Sequence, residues 1–380
     1  MPRQALRRSS SPVPLIASGL ALVAAASLAA CRSDGPGPAM LQASVDSLGH
    51  SEFVVGPGAG LDPARNTIWS GSIKLAWDAL GDAMGGPLSS SGADPAAEIL
   101  ATTAFDDGDV DPASVVVRAG PATPALVRSV GRALRERGSP ADPAFEQAVA
   151  DAPEGALFAY AEIYKNLGFE TRFDDLASAP LPFQGVAEQE PTLVDAFGIG
   201  YFSWQNANHK KLHDIVQFHE TEDRSEYCVV LEPKDALDRI VLARVAPAAT
   251  LGGTWDRAQA LISSAEAMPL SEGDRFVAPE VDFDLEHRFV ALEGLMVRSS
   301  TGAEAPLQNV QQRLRLKLDE AGMVMRSRTF MGAASAAVSN KPRELVFDRP
   351  FLLAAFEEGS QSPYLLAWIA HPELLTPVAP

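Results

Sequence analysis

The chain has 380 residues, 46% hydrophobic and 21% charged, which is enough apolar material for a sizeable core and too little bias for a fibrous or disordered protein. Its 31 basic residues face 49 acidic ones, a formal net charge of −18 that argues against nucleic acid as a partner. With two cysteines, Cys31 and Cys228, it is no disulfide-built scaffold.

The N-terminus carries Arg3, Arg7 and Arg8, then an uncharged run from Val13 to Ala30, the layout of an export signal. That run is barely long enough to cross a bilayer. Arg7-Arg8 precedes SSSP, so twin-arginine export is set aside, and residues 1–30 are predicted to be removed. Without the three arginines the mature net charge is about −21. Residues 31–63 hold GPGP and GPGAG, the latter with no strand before it, and are predicted to form a Gly/Pro-rich tether.

Residues 64–380 are predicted to form one domain. Ile73, Ala76, Trp77 and Leu80 have helical spacing ended by Gly85-Gly86. DDGDVD, Asp106 to Asp111, lacks the distal glutamate of a calcium loop and is taken as solvated. Leu126, Val130 and Leu134 mark a second helix, and ALFAYAEIYKNLGF a mainly apolar segment. DIVQFHE, EYCVVLEP, DRIVLARV, FLLAAF and PYLLAWIA read as buried strands, with TWDRAQALISSAEAM a helix among them. Helices early and strands late predict an α+β fold. Leu314, Leu316 and Leu318 alternate with Arg313, Arg315 and Lys317 in a half-buried strand that ends at Gly322; the small, polar residues after it predict an exposed loop over 323–341.

Catalytic signatures are missing: there is no G-x-S-x-G, Walker loop, H-E-x-x-H or C-x-x-C, so no catalytic residue, metal or cofactor is assigned. His209, His213 and His219 have metal-like spacing but sit where a surface turn is expected. Cys228 is predicted to be an inert core thiol, and Trp69, Trp77, Trp204 and Trp368 core residues.

Leu28-Ala29-Ala30-Cys31 resembles the lipobox of bacterial lipoproteins. The resemblance implies cleavage before Cys31, lipid on its sulfur and a place in the bacterial cell envelope; Arg32, where an aspartate is absent, favours the outer membrane.

DRFVAPEVDFDLEHRFVALEGLMV, VQQRLRLKLDEAG and ELVFDRPFLLAAFEEGSQSPYLLAWIAHP, with a loop before the last, resemble the C-terminal part of a serpin in order and spacing. NTIWSGSI and AEIYKNLGFETRF are similar to that family's second-helix start and central strand. The resemblance implies an α+β serpin-like fold with a large mixed sheet, smaller sheets and helices mostly in the N-terminal half. It makes Glu320, Gly322, Met323 and Met325 the hinge, and Ala336-Ala337 the bait bond for an elastase-like or subtilisin-like protease. A monomeric, lipid-anchored inhibitor of a serine or cysteine protease follows; the alternative is a non-inhibitory binding or scaffold lipoprotein. This sequence departs from the family at Ala161, Gln312 and Phe169, is short between Ser70 and Tyr164, and carries bulky Met323 and Met325 where inhibitory members have small residues expected to enter a sheet easily.

Overall fold

The apolar runs of the second half become neighbours in an eight-stranded sheet. Its order is Met268–Pro269, Val216–Glu220, Tyr227–Leu231, Asp238–Arg244, Phe351–Glu357, Leu365–Ile369, Asn66–Ser70 and Ser51–Phe53. Strands such as Tyr227–Leu231 and Leu365–Ile369 are buried at every position, as continuous apolar runs covered on both faces must be. The computed structural model describes residues 40–378 except 91, 187, 235–236, 324–341 and 361.

The elements that frame the site are, in chain order, β1 (Leu41–Ser44), α1 (Ser72–Ala83), β2 (Val115–Pro121), α2 (Pro124–Glu136), α3 (Pro143–Ala150), β3 (Leu157–Ile163), β4 (Leu167–Gly168), β5 (Val281–Arg288), β6 (Gln311–Asp319) and β7 (Gly322–Met323). A second sheet has the order β1-β5-β6-β7-β4, while β2 and β3 pair only with each other. α1 starts after Gly71 and ends where Gly86 donates its amide to the carbonyl of Gly81, the stop expected from the Gly85-Gly86 pair. Leu126, Val130 and Leu134 of α2 bury their shared face against Val116, with Phe158 and Tyr160 packed alongside.

One boundary differs from expectation. Residues 31–63 are not a tether throughout: β1 adds to β5, and Val45, Phe53, Val54, Val55 and Leu61 are in the core. The Gly/Pro count masked isolated apolar residues that only long-range pairing buries. Asp62 and Arg65 instead make a local turn, Arg65 N–H donating to the Asp62 carbonyl.

β6 and β7 form a hairpin with Asp319 opposite Gly322 and Glu320-Ala321 as its turn. β7 is squeezed between β6 and β4, where Gly322 faces Gly168 and Met323 faces Leu167. Gly322 has φ +137°, and a side chain there would collide with the carbonyl oxygen of Leu167 and with Gly168 Cα. The facing glycines let the backbones close, and Met323 drops into the core at 1% exposure. Met323 therefore does not lie in an exposed loop, nor does its bulk bar it from the sheet, because the room is made at the neighbouring glycines.

Gly322→Ala should cost ~1–3 kcal/mol through strain and expel Met323. Thermal unfolding and amide exchange over 319–323 would show it; an unchanged melting temperature with protected amides would mean that the glycine is not what seats β7.

Candidate functional site

Below Met323 the sheet parts. β3 is bonded to β2 on one edge only, and β6 is bonded to β5 along its length but to β7 only at Leu318 and Asp319. Among the described residues, the facing edges of β3 and of β6 from Gln311 to Lys317 have no strand partner. Between them runs a cleft of about 1100 Å³, walled by β3 and β6 and floored by Ile73, Ala76, Trp77 and Leu80 of α1. Alternation sets its chemistry. Leu157, Ala161 and Ile163 of β3 turn toward the main core, whereas Phe158 and Tyr160 pack under α2 and α3. On β6, Gln312 and Leu316 are buried while Arg313 and Arg315 face outward. Gln312 donates its side-chain amide to the Ser70 carbonyl (3.2 Å) and Ser72 Oγ (2.9 Å), tying β6 to the start of α1.

Lys165, between β3 and β4, also lines the cleft. Its ammonium is fully buried, 3.0 Å from Asp238 and bonded to Glu357. Tyr364 donates its hydroxyl to Asp238 at 2.8 Å. Burial pushes the Asp238 carboxyl up, with Lys165 opposing that shift, and burial followed by the Asp238 charge holds the Tyr364 phenol well above its usual range. Sequence reasoning missed this lysine; its shared parity with Ala161, Ile163 and Leu167, a charge in an otherwise apolar segment, was the available signal.

The hinge turn is ringed by acid. Burial raises the Glu280 carboxyl to about 8, with Glu320, Asp319, Asp195 and Asp175 adding repulsion in that order. Glu320 is itself raised by burial and then by Asp319, against Arg172 at 3.3 Å. The turn is pinned by backbone bonds: Phe169 N–H donates to the Ala321 carbonyl and Phe173 N–H to that of Glu320, both at 2.9 Å.

Of the predicted site residues, Glu320, Gly322 and Met323 meet at this hairpin. Cys31, Met325, Ala336 and Ala337 lie outside the described residues. His209 is on a short helix, Ala207–Leu212, rather than in an open turn. Its Nε2 meets Asp174 at 3.1 Å, while His213 and His219 bond the carbonyls of Leu270 and Ala265, so the three rings have separate partners. Cys228 is buried and its thiol is pushed up to about 12. Trp69, Trp77 and Trp368 are core, but Trp204 is 41% exposed, against expectation. It packs edge-on against Phe202 and tilted against His213 at the surface, where an aromatic count could not place it.

No protein-family profile and no curated protein sequence matches the chain. Solved structures do. Human thyroxine-binding globulin is 11% identical over 82% of this chain and 93% of its own, with a TM-score of 0.45. SRPN18 from Anopheles gambiae is 12% identical over 82% and 93%, at 0.46. A serpin from the trematode Schistosoma haematobium is 10% identical over 81% and 94%, at 0.44. All three are serpins, a resemblance at TM-scores below 0.5; this chain's own mixed sheets and helices make an α+β fold.

Two outcomes check the site. Lys165→Met leaves two buried carboxylates facing each other and should cost about 3–5 kcal/mol in denaturant unfolding, most of it regained on adding Asp238→Asn; a loss below ~1 kcal/mol would show that Asp238 does not depend on the ammonium. Glu280 binds its proton more tightly folded than unfolded, so its contribution is full below the unfolded value near 4.5 and is lost as pH rises through about 8. Stability of the wild type should fall across that window, and Glu280→Gln should flatten the slope. An identical slope in the variant would assign the titration to another group.

Proposed function

We propose that this chain is a lipid-anchored envelope protein that inhibits a serine protease by drawing a cleaved segment into its own sheet. The observation that carries this is the cleft between two strand edges that are unpaired among the described residues, next to β7, whose two residues sit in the sheet. Continuing the register of Met323 with Leu318 and Leu167 would put Met325 beside Leu316 and Lys165, Ser327 between Leu314 and Ile163, and Thr329 between Gln312 and Ala161. Arg326 and Arg328 would come to the outer face, the latter beside Glu162. Each added residue would supply ladder hydrogen bonds to edges that now lack them. Residues 324–341 serve as bait, with Ala336-Ala337 the bond for an elastase-like or subtilisin-like enzyme and Cys31 the lipid anchor.

A non-inhibitory binding lipoprotein is the second reading, favoured by one observation. The position after Met323 falls at Lys165, whose ammonium is committed to Asp238 and Glu357.

Cleavage within 324–341 should raise the melting temperature by 10 °C or more, on the order expected for several kcal/mol, and a detergent-stable complex with the protease should form. Ala161→Trp, which fills the cleft, should abolish both effects. Cleavage with neither a thermal gain nor a complex would leave the binding reading. Separately, intact mass should show diacylglycerol on Cys31, and a free thiol there in mature protein would end the anchor assignment.

A further inference from the structure

Residues 41–53 run as a strap along the edges of both sheets. The first half is β1 on the outer edge of β5; the second, Ser51–Phe53, pairs in parallel with Asn66 to Ile68 at the edge of the eight-stranded sheet. Three residues make a weak ladder, and this half is gripped instead by the C-terminal turn Pro372–Leu374. The Glu373 carboxylate accepts from the amides of Gly49 (2.9 Å) and His50 (3.1 Å) and from the Ser51 hydroxyl (2.7 Å). Arg65 holds the Gly49 and Ser51 carbonyls from the other side. His50 lies flat on His371, ring centroids 3.9 Å apart and 12° from parallel. We propose that His50 and His371 form an acid-sensitive clasp: while neutral they hold residues 49–53 on the eight-stranded sheet, and a proton taken up at His371 Nδ1 releases them.

The hydrogen bonds set where that proton goes. Glu373 N–H donates to His371 Nδ1 at 3.1 Å, and a backbone amide can only donate, so Nδ1 is bare and the ring's own proton sits on Nε2, 3.2 Å from Glu188 Oε1. A second proton must enter at Nδ1, where it meets Glu373 N–H head-on. The bond that caps the turn is then lost, and with it the placement of the carboxylate that collects three donors from the strap. The groups that face His371 are His50 on the strap, Glu188 on the 184–191 connection and Glu373 on its own turn; burial first and His50 next push it below the usual histidine range, against the pull of the two carboxylates. His371 thus binds its proton less tightly folded than unfolded, so its contribution is full above the unfolded value near 6.5 and is lost as pH falls through the lower folded value. β1 does not share this response, because Asp46 Oδ1 lies 3.0 Å from His287 Nδ1, a contact that a proton on His287 would strengthen. Acid therefore frees one half of the strap and leaves the other seated, baring the edge of the Asn66–Ser70 strand and uncovering Phe53, now 6% exposed.

Amide exchange on the intact protein tests the clasp. Between about pH 7.5 and about pH 5, corrected for intrinsic exchange, protection over 49–55 should fall ~10-fold or more while that over 41–44 and Tyr227–Leu231 changes by less than ~2-fold. Glu280 makes the fold more stable in acid, so a fall confined to 49–55 is not global unfolding. His371→Asn keeps an oxygen to accept Glu373 N–H but takes no proton, and should hold protection over 49–55 within ~2-fold across the same range. Should that variant fold poorly, NMR titration of the His371 ring in the wild type decides, its midpoint coinciding with the fall in protection. Constant protection over 49–55 in the wild type would overturn the proposal, as would an equal fall in His371→Asn or a ring that titrates without any loss of protection.

Discussion

An ammonium with no water around it must be met by carboxylates, and for Lys165 they come from two paired strands of the large sheet. Asp238 and Glu357 are direct cross-strand partners, like charges that would repel one another without a cation between them. Lys165 supplies it, and Tyr364 donates its hydroxyl to Asp238 Oδ1, the oxygen that the ammonium also approaches. The chain is thus bolted to the sheet beneath at one point. On either side it goes separate ways: β4 stays with the hinge hairpin, while β3 follows β2 and leaves β6. The cleft is a consequence of where that bolt falls.

Much of this architecture was legible because periodicity is local. The five apolar runs of the second half and the helix at Ile73 to Leu80 had patterns that burial then honoured. The end of β6 near Gly322 was legible through the alternation that stops there. Residues 41–63 were not, since β1 and the Ser51–Phe53 strand are each short, and β1 gains its burial only by pairing with distant β5 while Ser51–Phe53 gains its own beside Asn66 to Ile68. Nor was the cleft: an unpaired edge is a relation between β3 and β6 that neither strand carries in its own pattern. The seating of Met323 was misjudged for a similar reason, because the space depends on Gly168 across the ladder.

Two open edges are a hazard, as either could pair with a strand from another chain. Here the outer faces that flank them are guarded differently. β3 is shielded by α2 and α3, with Phe145 packed edge-on against Phe158 and Tyr160. β6 carries Arg313 and Arg315, joined to Asp284 and Asp282 of β5 at 2.6 Å. Charged side chains on an open strand favour a partner whose outward residues can match them, and the sequence after Met323 alternates in the same sense as β6.

The hinge itself sets two local effects against each other. Facing glycines at 168 and 322 let β7 close into the sheet, and the pinned turn holds it there. Closing it also carries Asp319 and Glu320 in beside Glu280, where burial first and then repulsion from neighbouring carboxylates raise the carboxyls of Glu280 and Glu320. At neutral pH that repulsion is met partly by keeping a proton on Glu280 and partly by Arg172 and Lys317, both at the surface and open to screening by salt. The seated hairpin is therefore held by a steric fit that salt and pH leave alone and loaded by a charge group that both can change, so the end of the sheet nearest β1 is where solution conditions act most directly on this molecule.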